Sequence, residues 1–359
     1  MDSARAWHID WPLLAGLLAL SALSLVVLYS AGGEDWEVML RQGLRLVLAY
    51  AVLWAVAQLS PGRLARWAAP LYAAGLALLM VVLVIGVVGK GAQRWLNLGI
   101  VQFQPAEVMK LAVPMTLAAL FARSVLPPGP RTLLAAGALL AVPTYLVAVQ
   151  PDLGTAILIA ASGLVVIFLA GVGWRLIGLL ALGAAAAAPL VWMRLHDYQK
   201  QRIETLFNPW ADPLGSGYHT IQSTIAVGSG GFFGKGWLNG SQSQLEFIPE
   251  RATDFIFAVY AEEFGLLGVL LLLGLYGFVI GRCLYIAYCA KDSFSRLLAG
   301  SLALTFFFYV FVNIGMVSGV LPVVGVPLPL LSYGGTSLVT LMAGFGILMS
   351  IHTHRRLIA

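Results

Sequence analysis

The sequence predicts an all-α polytopic membrane protein with about ten transmembrane helices, and three observations carry that prediction. Apolar runs of about 18 or more residues recur from end to end. Hydrophobic residues make up 60% of the 359-residue chain and charged residues 10%, far below the roughly one-quarter charged share of a soluble domain. Short segments of alternating polarity, the mark of a transmembrane β-barrel, are absent from the sequence. The formal net charge of +5 is spread along the loops rather than clustered, so it is no nucleic-acid footprint.

The spans fall near 12–30, 41–59, 66–88, 104–122, 131–149, 153–171, 173–193, 254–281, 297–319 and 335–352. The first is too long for a signal-peptide core and reads as an uncleaved transmembrane helix. Arg5, then Arg63 and Arg66, Arg123 and Arg131, Arg175, Arg282 with Lys291 and Arg296, and finally Arg355 and Arg356 all fall on one side. The opposite short loops carry Glu34, Asp35 and Glu37, or Lys90 with Arg94, or Asp152. By the positive-inside rule both termini are expected in the cytoplasm. Residues 1–359 are expected to form a single membrane domain, with one long extracytoplasmic loop, 194–253, between the seventh and eighth spans. Loops of that length are usually functional. Within it Tyr218, Ile221, Ile225 and Gly228 recur at helical spacing, which predicts a short amphipathic helix lying on the outer membrane surface.

The eighth span poses a length problem. Helical pattern runs from Asp254 to about Ala290, roughly 55 Å of helix against a hydrocarbon core of about 30 Å. The helix must project, tilt, or break near Gly265 and Gly268. Glu262 and Glu263 then sit near the outer interface, with one of them expected to be solvated, since adjacent positions face different ways. Cys283 and Cys289 lie six apart on different faces of this helix, so they read as packing residues rather than a disulfide. Between the last two spans, Val317–Ser337 is apolar yet holds three prolines and four glycines. Irregular backbone at membrane depth must be buried in protein or line a watery cavity, so this segment reads as re-entrant.

Candidate chemistry gathers at the start of the eighth span. Glu250, Arg251 and Asp254 sit where a polar, glycine-rich loop meets a long apolar helix, within reach of both water and lipid. Charges at membrane depth tend to be functional; the plainer alternative is that Thr253 or Asp254 only caps the helix. Glu107 and Lys110, three apart on the fourth span, can pair directly and shape a polar cavity. Arg41 and Arg45 are one turn apart, suited to an anionic headgroup or a diphosphate, or simply to interfacial snorkelling. Asp152 opens the sixth span as a cap, a metal ligand or a substrate contact, with the cap preferred. Several soluble-enzyme motifs fail. Ser229–Gly236 lacks the first glycine and the closing Ser or Thr of a phosphate-binding loop, and His352 with His354 has no zinc-ligand spacing. What remains is an outward-facing cavity for an amphiphilic substrate, which suits a glycosyl-transfer enzyme or a transporter.

At this point four blocks resemble the SEDS family (shape, elongation, division and sporulation proteins). They are Asn313–Ser337; Gly91–Trp95 with Gln104–Lys110; Gln150–Ala156; and Pro249–Phe257 with Glu262–Gly265. Pro249-Glu250-Arg251, the ending Met349–Arg355 and the short tail are closer to the RodA branch than to FtsW. Ala106 and Ala252 depart from the common serine and histidine, so those side chains are not expected in catalysis. The resemblance implies a peptidoglycan glycosyltransferase that polymerises lipid II in the bacterial inner membrane. It also implies a class B penicillin-binding protein and other elongation-complex proteins as partners, and a divalent cation (Mg or Mn) with unspecified ligands. It makes Asp254 the general base, and it places Arg45, Arg94, Glu107, Lys110, Asp152, Glu250, Arg251, Ser318, Ser332, Gly334 and Gly335 around substrate. A lipid II flippase and a non-catalytic scaffold for the penicillin-binding partner are the competing readings.

Overall fold

The computed structural model describes residues 7–89, 92–97, 102–194, 197–245, 247–248 and 250–354. Arg5, Lys90, Gly91, Pro249, Arg355 and Arg356 lie outside the described residues. Ten long helices form the body: α1 (Trp11–Ala31), α2 (Trp36–Ala57), α3 (Pro61–Ile85), α4 (Pro105–Ala122), α5 (Pro130–Val149), α6 (Leu153–Leu169), α7 (Trp174–Arg194), α11 (Ile256–Tyr288), α12 (Ser293–Val317) and α13 (Thr336–Thr353). The loop between α7 and α11 holds α8 (Asp197–Phe207), a 3-10 turn (Pro209–Ala211), α9 (Tyr218–Ser229) and α10 (Ser241–Gln244). Among the described residues eight helices are long and apolar enough to cross a bilayer, and α6 is a shorter apolar helix.

Short connections carry their own start signals. Asp10, Asp35, Asp152 and Asp292 each accept a backbone N–H of the helix that follows, and Pro61, Pro105 and Pro130 occupy first helical positions. Pro143, inside α5, has no N–H for the carbonyl of Leu139; the Tyr72 hydroxyl donates to it instead, at 2.8 Å. In lipid the helices associate by close packing rather than by hydrophobic burial. α2 lies so tightly on α13 that a Cβ at Gly346 would stand 2.5 Å from the Leu53 carbonyl. α12 packs on α4, α6 and α11. α4 and α12 are each 67% buried within protein, so these two can carry polar groups that lipid would not tolerate.

The two ends of the described residues meet. The His8 and His354 rings stack at 3.9 Å, which puts both ends on one face, as an even number of spans requires. Beside them Asp10 accepts from Arg282 at 3.1 and 2.8 Å and lies 3.2 Å from His352 Nε2.

The structure departs from the sequence reading in four places. α2 begins at Trp36 rather than near 41, because Asp35 caps it. A small antiparallel sheet, β1 (Val87–Gly89), β2 (Ala92–Asn97) and β3 (Gln102–Phe103), joins α3 to α4; its strands are too short to leave a periodic signal. α9 does not present a stripe at Ile221, Ile225 and Gly228. It buries Thr220, Ile221, Ser223 and Ala226 against α11 and α12, because Ser223 donates to the Val317 carbonyl at 2.9 Å. Neither Glu262 nor Glu263 is solvated: they are 0% and 1% exposed. Lys235 Nζ meets Glu262 at 2.7 Å, joined by Ser241 Oγ and the Gln242 N–H, while the Ser30 hydroxyl donates to Glu263. The loop folds back over both carboxylates and replaces water.

The length problem is solved by a break at Gly265, where φ is 62° and ψ −163°. The loop backbone fills the gap: Leu266 and Leu267 N–H groups reach the Gly231 and Phe232 carbonyls at 3.0 and 3.2 Å. A Cβ on Gly265 would lie 2.2 Å from Gly234 N. Gly265→Ala is therefore expected to cost about 3 kcal/mol or more, read from the unfolding midpoint of the purified protein. Gly274→Ala, where nothing lies within 4 Å of the new atom, should leave the midpoint unchanged or raise it slightly. Equal midpoints for the two would refute a fixed break. A second prediction concerns the clasp at the chain ends. Burial works to raise the pKa of Asp10, but hydrogen bonds from Arg282 and Leu13 and the nearby charges of His352 and Arg282 outweigh it and hold the group below its ordinary 3.8. A depressed carboxyl contributes stability above its unfolded pKa and loses it as pH falls through the folded one. Asp10→Asn should lower the midpoint at neutral pH and remove that part of the acid limb; an unchanged pH–stability curve would sink the clasp.

Candidate active site

The centre is the turn 250–255. Thr253 and Phe255 N–H groups donate to the Glu250 carbonyl at 3.0 and 3.3 Å, and Thr253 Oγ1 donates to Glu250 Oε2 at 2.8 Å. Phe255 occupies the cap position of α11 with no side-chain cap. Neither Thr253 nor Asp254 occupies that cap position. The Asp254 side chain is directed instead at the re-entrant segment, where a Cβ on Gly325 would stand 3.4 Å from Asp254 Oδ2.

The re-entrant segment holds this turn by its backbone. Asn313 Nδ2, from α12, donates to the Asp254 carbonyl at 2.9 Å and to the Val326 carbonyl at 2.7 Å. Ser332 Oγ donates to the Thr253 carbonyl at 2.6 Å and accepts the Leu328 N–H at 2.8 Å. Tyr333 N–H donates to the Ala252 carbonyl at 2.8 Å, Tyr276 OH to the Pro329 carbonyl at 2.6 Å, and Ser24 Oγ to the Leu331 carbonyl at 2.9 Å. Apart from the Leu328 N–H, whose acceptor is a hydroxyl, each bond goes to a backbone carbonyl of the irregular segments.

Behind the re-entrant segment lies a cavity of about 70 Å³, lined at one end by Glu107, Lys110, Ser332 and Gly334 and at the other by Leu302, Phe306, Leu341, Phe345 and Leu348. Lys110 Nζ meets Glu107 Oε1 at 2.6 Å and lies 5.2 Å from the Tyr309 ring centre. Arg45 stacks on Tyr333 at 4.3 Å, with its Nε 4.0 Å from where a Gly335 Cβ would be. The cavity thus has a charged head and an apolar tail, the profile of a diphosphate on a lipid chain.

The family model FTSW_RODA_SPOVE, described as a cell cycle protein, matches residues 6–357. The chain belongs to this family, the SEDS proteins. It is 55% identical over 353 residues to the peptidoglycan glycosyltransferase MrdB of Escherichia coli (strain K12), covering 98% of this chain and 95% of that one. It resembles a chain from a solved peptidoglycan synthase complex that coordinates polymerization and crosslinking, with a TM-score of 0.84, 38% identity, and 97% and 98% of the two chains covered. It also resembles the rod shape determining protein RodA of Thermus thermophilus, with a TM-score of 0.73, 34% identity, and 96% and 97% covered.

In this SEDS chain the expected site residues separate into groups. Glu107, Lys110, Ser332, Gly334, Gly335 and Arg45 gather around the cavity head, next to the Asp254 turn. Arg94, on β2, stands 3.5 Å from Asp152, which also accepts from Gln104 Nε2 at 2.7 Å while capping α6. Glu250 is exposed and shapes the turn, with φ 53°. Arg251 reaches toward Gly33 in the loop between α1 and α2. Ser318 caps the C-terminal end of α12 without lining the cavity, beside Gly319, which faces Thr224 of α9. Arg41 does not join Arg45: it pairs with Glu37 on the exposed surface of α2 at 2.7 Å, a contact worth little. Sequence reasoning passed over Asn313, Tyr309 and Tyr333. A buried asparagine in an apolar span was a usable signal; the Arg45–Tyr333 stack joins residues 288 apart in the chain and left none.

The buried pair gives a stability test. Lys110→Met strands Glu107 in a buried site, at a cost of about 3 kcal/mol or more. Adding Glu107→Gln should recover much of that loss. A double-mutant cycle on unfolding midpoints reads the coupling, and strictly additive losses would show that the pair is not a unit.

Proposed function

We propose that this chain polymerises lipid II with Asp254 as general base, the diphosphate being received by Lys110 and Arg45. It is a peptidoglycan glycosyltransferase, a multi-pass protein of the bacterial inner membrane, and it works with a class B penicillin-binding protein. The observation that carries the residue assignment is the pair of latches from Asn313 and Ser332 to the backbone of Asp254 and Thr253. They set a carboxylate beside a cavity whose head carries the Glu107–Lys110 pair and whose tail is largely apolar.

The chemistry follows from that placement. An acceptor sugar 4-hydroxyl attacks C1 of the donor from the face opposite the diphosphate. Its proton passes to the Asp254 carboxylate as the new C–O bond forms. The bond from C1 to the diphosphate oxygen breaks, and the electron pair leaves with the lipid diphosphate. Lys110 and Arg45 offset the charge that accumulates there, in a site where water is sparse and such charges count for more. Asp254 then returns its proton to water on the loop face. One displacement converts an α-linked donor to a β-linked glycan. The divalent cation implied by the family resemblance finds no protein cage: among the described residues no three His, Cys, Asp or Glu side chains converge.

Full-length protein with its penicillin-binding partner, supplied with lipid II, should yield glycan polymer resolved on a gel. Asp254→Asn of equal unfolding midpoint should lose about 100-fold or more of the rate. Polymer from the variant at the wild-type rate would remove Asp254 from the chemistry while leaving the transferase.

A further inference from the structure

The turn 252–255 has a second cavity near it, on the loop face. It holds about 290 Å³, room for roughly ten waters at about 30 Å³ each. α8 contributes Gln201, Arg202 and Thr205, the following loop Ser216, α9 His219, and the re-entrant segment an apolar wall at Pro322. The lining carries hydroxyl, amide, imidazole and one guanidinium group, and none of its residues is acidic.

This cavity has a fixed rim. Ser216 N–H and Oγ donate to Asp212 Oδ2 at 2.8 and 3.3 Å, and Thr205 Oγ1 bonds Ser216 Oγ at 3.0 Å. A Cβ on Gly217 would lie 1.9 Å from the Pro209 carbonyl, so the loop closes on itself without slack. His219 connects the cavity to the reaction centre. Its ring stacks on Phe255 at 5.6 Å, one residue from Asp254. Its Nδ1 is buried with no hydrogen-bond partner among the described residues, an arrangement that costs free energy unless a water or a ligand in the cavity supplies the partner. Burial lowers the pKa of His219, against a smaller opposing pull from Glu250, so at neutral pH the ring offers one donor and one acceptor.

We propose that this outer cavity is a carbohydrate subsite, which holds acetamido sugars of the acceptor glycan on the water side of Asp254. The inference rests on the transferase reading for the word acceptor. The chemistry of the cavity points to sugar independently. A sugar ring presents hydroxyl and amide edges that both give and take hydrogen bonds, and an apolar C–H face that suits Pro322. A diphosphate would want more than one cation, and a basic peptide would want a carboxylate.

The test uses full-length protein with its penicillin-binding partner and a lipid-free tetrasaccharide of alternating N-acetylglucosamine and N-acetylmuramic acid, titrated calorimetrically. Wild type and Asp254→Asn should bind it alike. Thr205→Trp, which fills the cavity, and Arg202→Ala, at an exposed position, should each weaken binding by about tenfold, the scale of one good hydrogen bond, and shorten the glycan made from lipid II. If Thr205→Trp fails to fold, Arg202→Ala carries the result. Unchanged binding in the folded variants, no binding by wild type, or capture of the sugar-free pentapeptide in place of the tetrasaccharide would each overturn the subsite. Variant-sensitive sugar binding by a wild type that makes no polymer would leave the subsite standing and remove the transferase reading.

Discussion

Unpaired carbonyl groups at membrane depth are the constraint on which the rest of this structure depends. The segment after α12 cannot be helical, because its prolines lack donors and its glycines adopt left-handed backbone at Gly319 and Gly325. Lipid supplies no substitute for the missing bonds. Side chains from the surrounding helices, with the segment's own Ser332, supply them: Asn313, Tyr276, Ser24 and Ser332 each donate to a carbonyl of the re-entrant segment or of the 250–255 turn. The same bonds that make the irregular backbone tolerable also fix where Asp254 sits. Stability and positioning are one network here. A substitution in that network cannot be assigned to catalysis without a matched measure of folding.

Charge is handled by the same logic. Glu107 and Lys110 sit on one of the two most enclosed of the eight candidate spans and pair at 2.6 Å, since an isolated charge there would be neutralised or driven out. Glu262 is matched by a cation from the loop, Lys235, rather than by one from a neighbouring span. That choice ties α11 to the 229–242 stretch and lets the helix break at Gly265 without exposing its backbone. The long loop is thus part of the fold's interior as well as its outer surface.

The long helices were legible because they are apolar runs, eight of them among the described residues long and apolar enough to cross a bilayer, and apolarity is a local property. The Glu107–Lys110 pair, the cap at Asp152 and the break near Gly265 were legible for the same reason: spacing along one helix settles them. The burial of both Glu262 and Glu263 was not, because their partners come from Lys235, Ser241 and Ser30, and nothing local marks the loop's return. The buried face of α9 was misread because its partner is a helix end rather than lipid, so small and hydroxyl residues face inward. Arg41 and Arg45 look alike in sequence; Glu37, one turn earlier, holds Arg41, while the distant ring of Tyr333 holds Arg45.

The depth profile of the cavity bears on polymerisation against transport. A carrier must give the diphosphate polar partners across the whole bilayer. Here the charged groups lining the cavity stand at its loop-face end, and the lining becomes Leu302, Phe306, Leu341, Phe345 and Leu348 toward the face that holds the chain ends. The charges at that far face, Asp10 and Arg282 with His352, are bonded to one another and belong to the clasp of the termini. A diphosphate drawn through this passage would leave its cations behind and meet a wall that is hydrocarbon apart from the Thr305 hydroxyl. A prenyl chain would meet its own kind. The arrangement therefore suits a substrate that stays with its head at the loop face and reacts there, where the Asp254 turn and the polar outer cavity both lie.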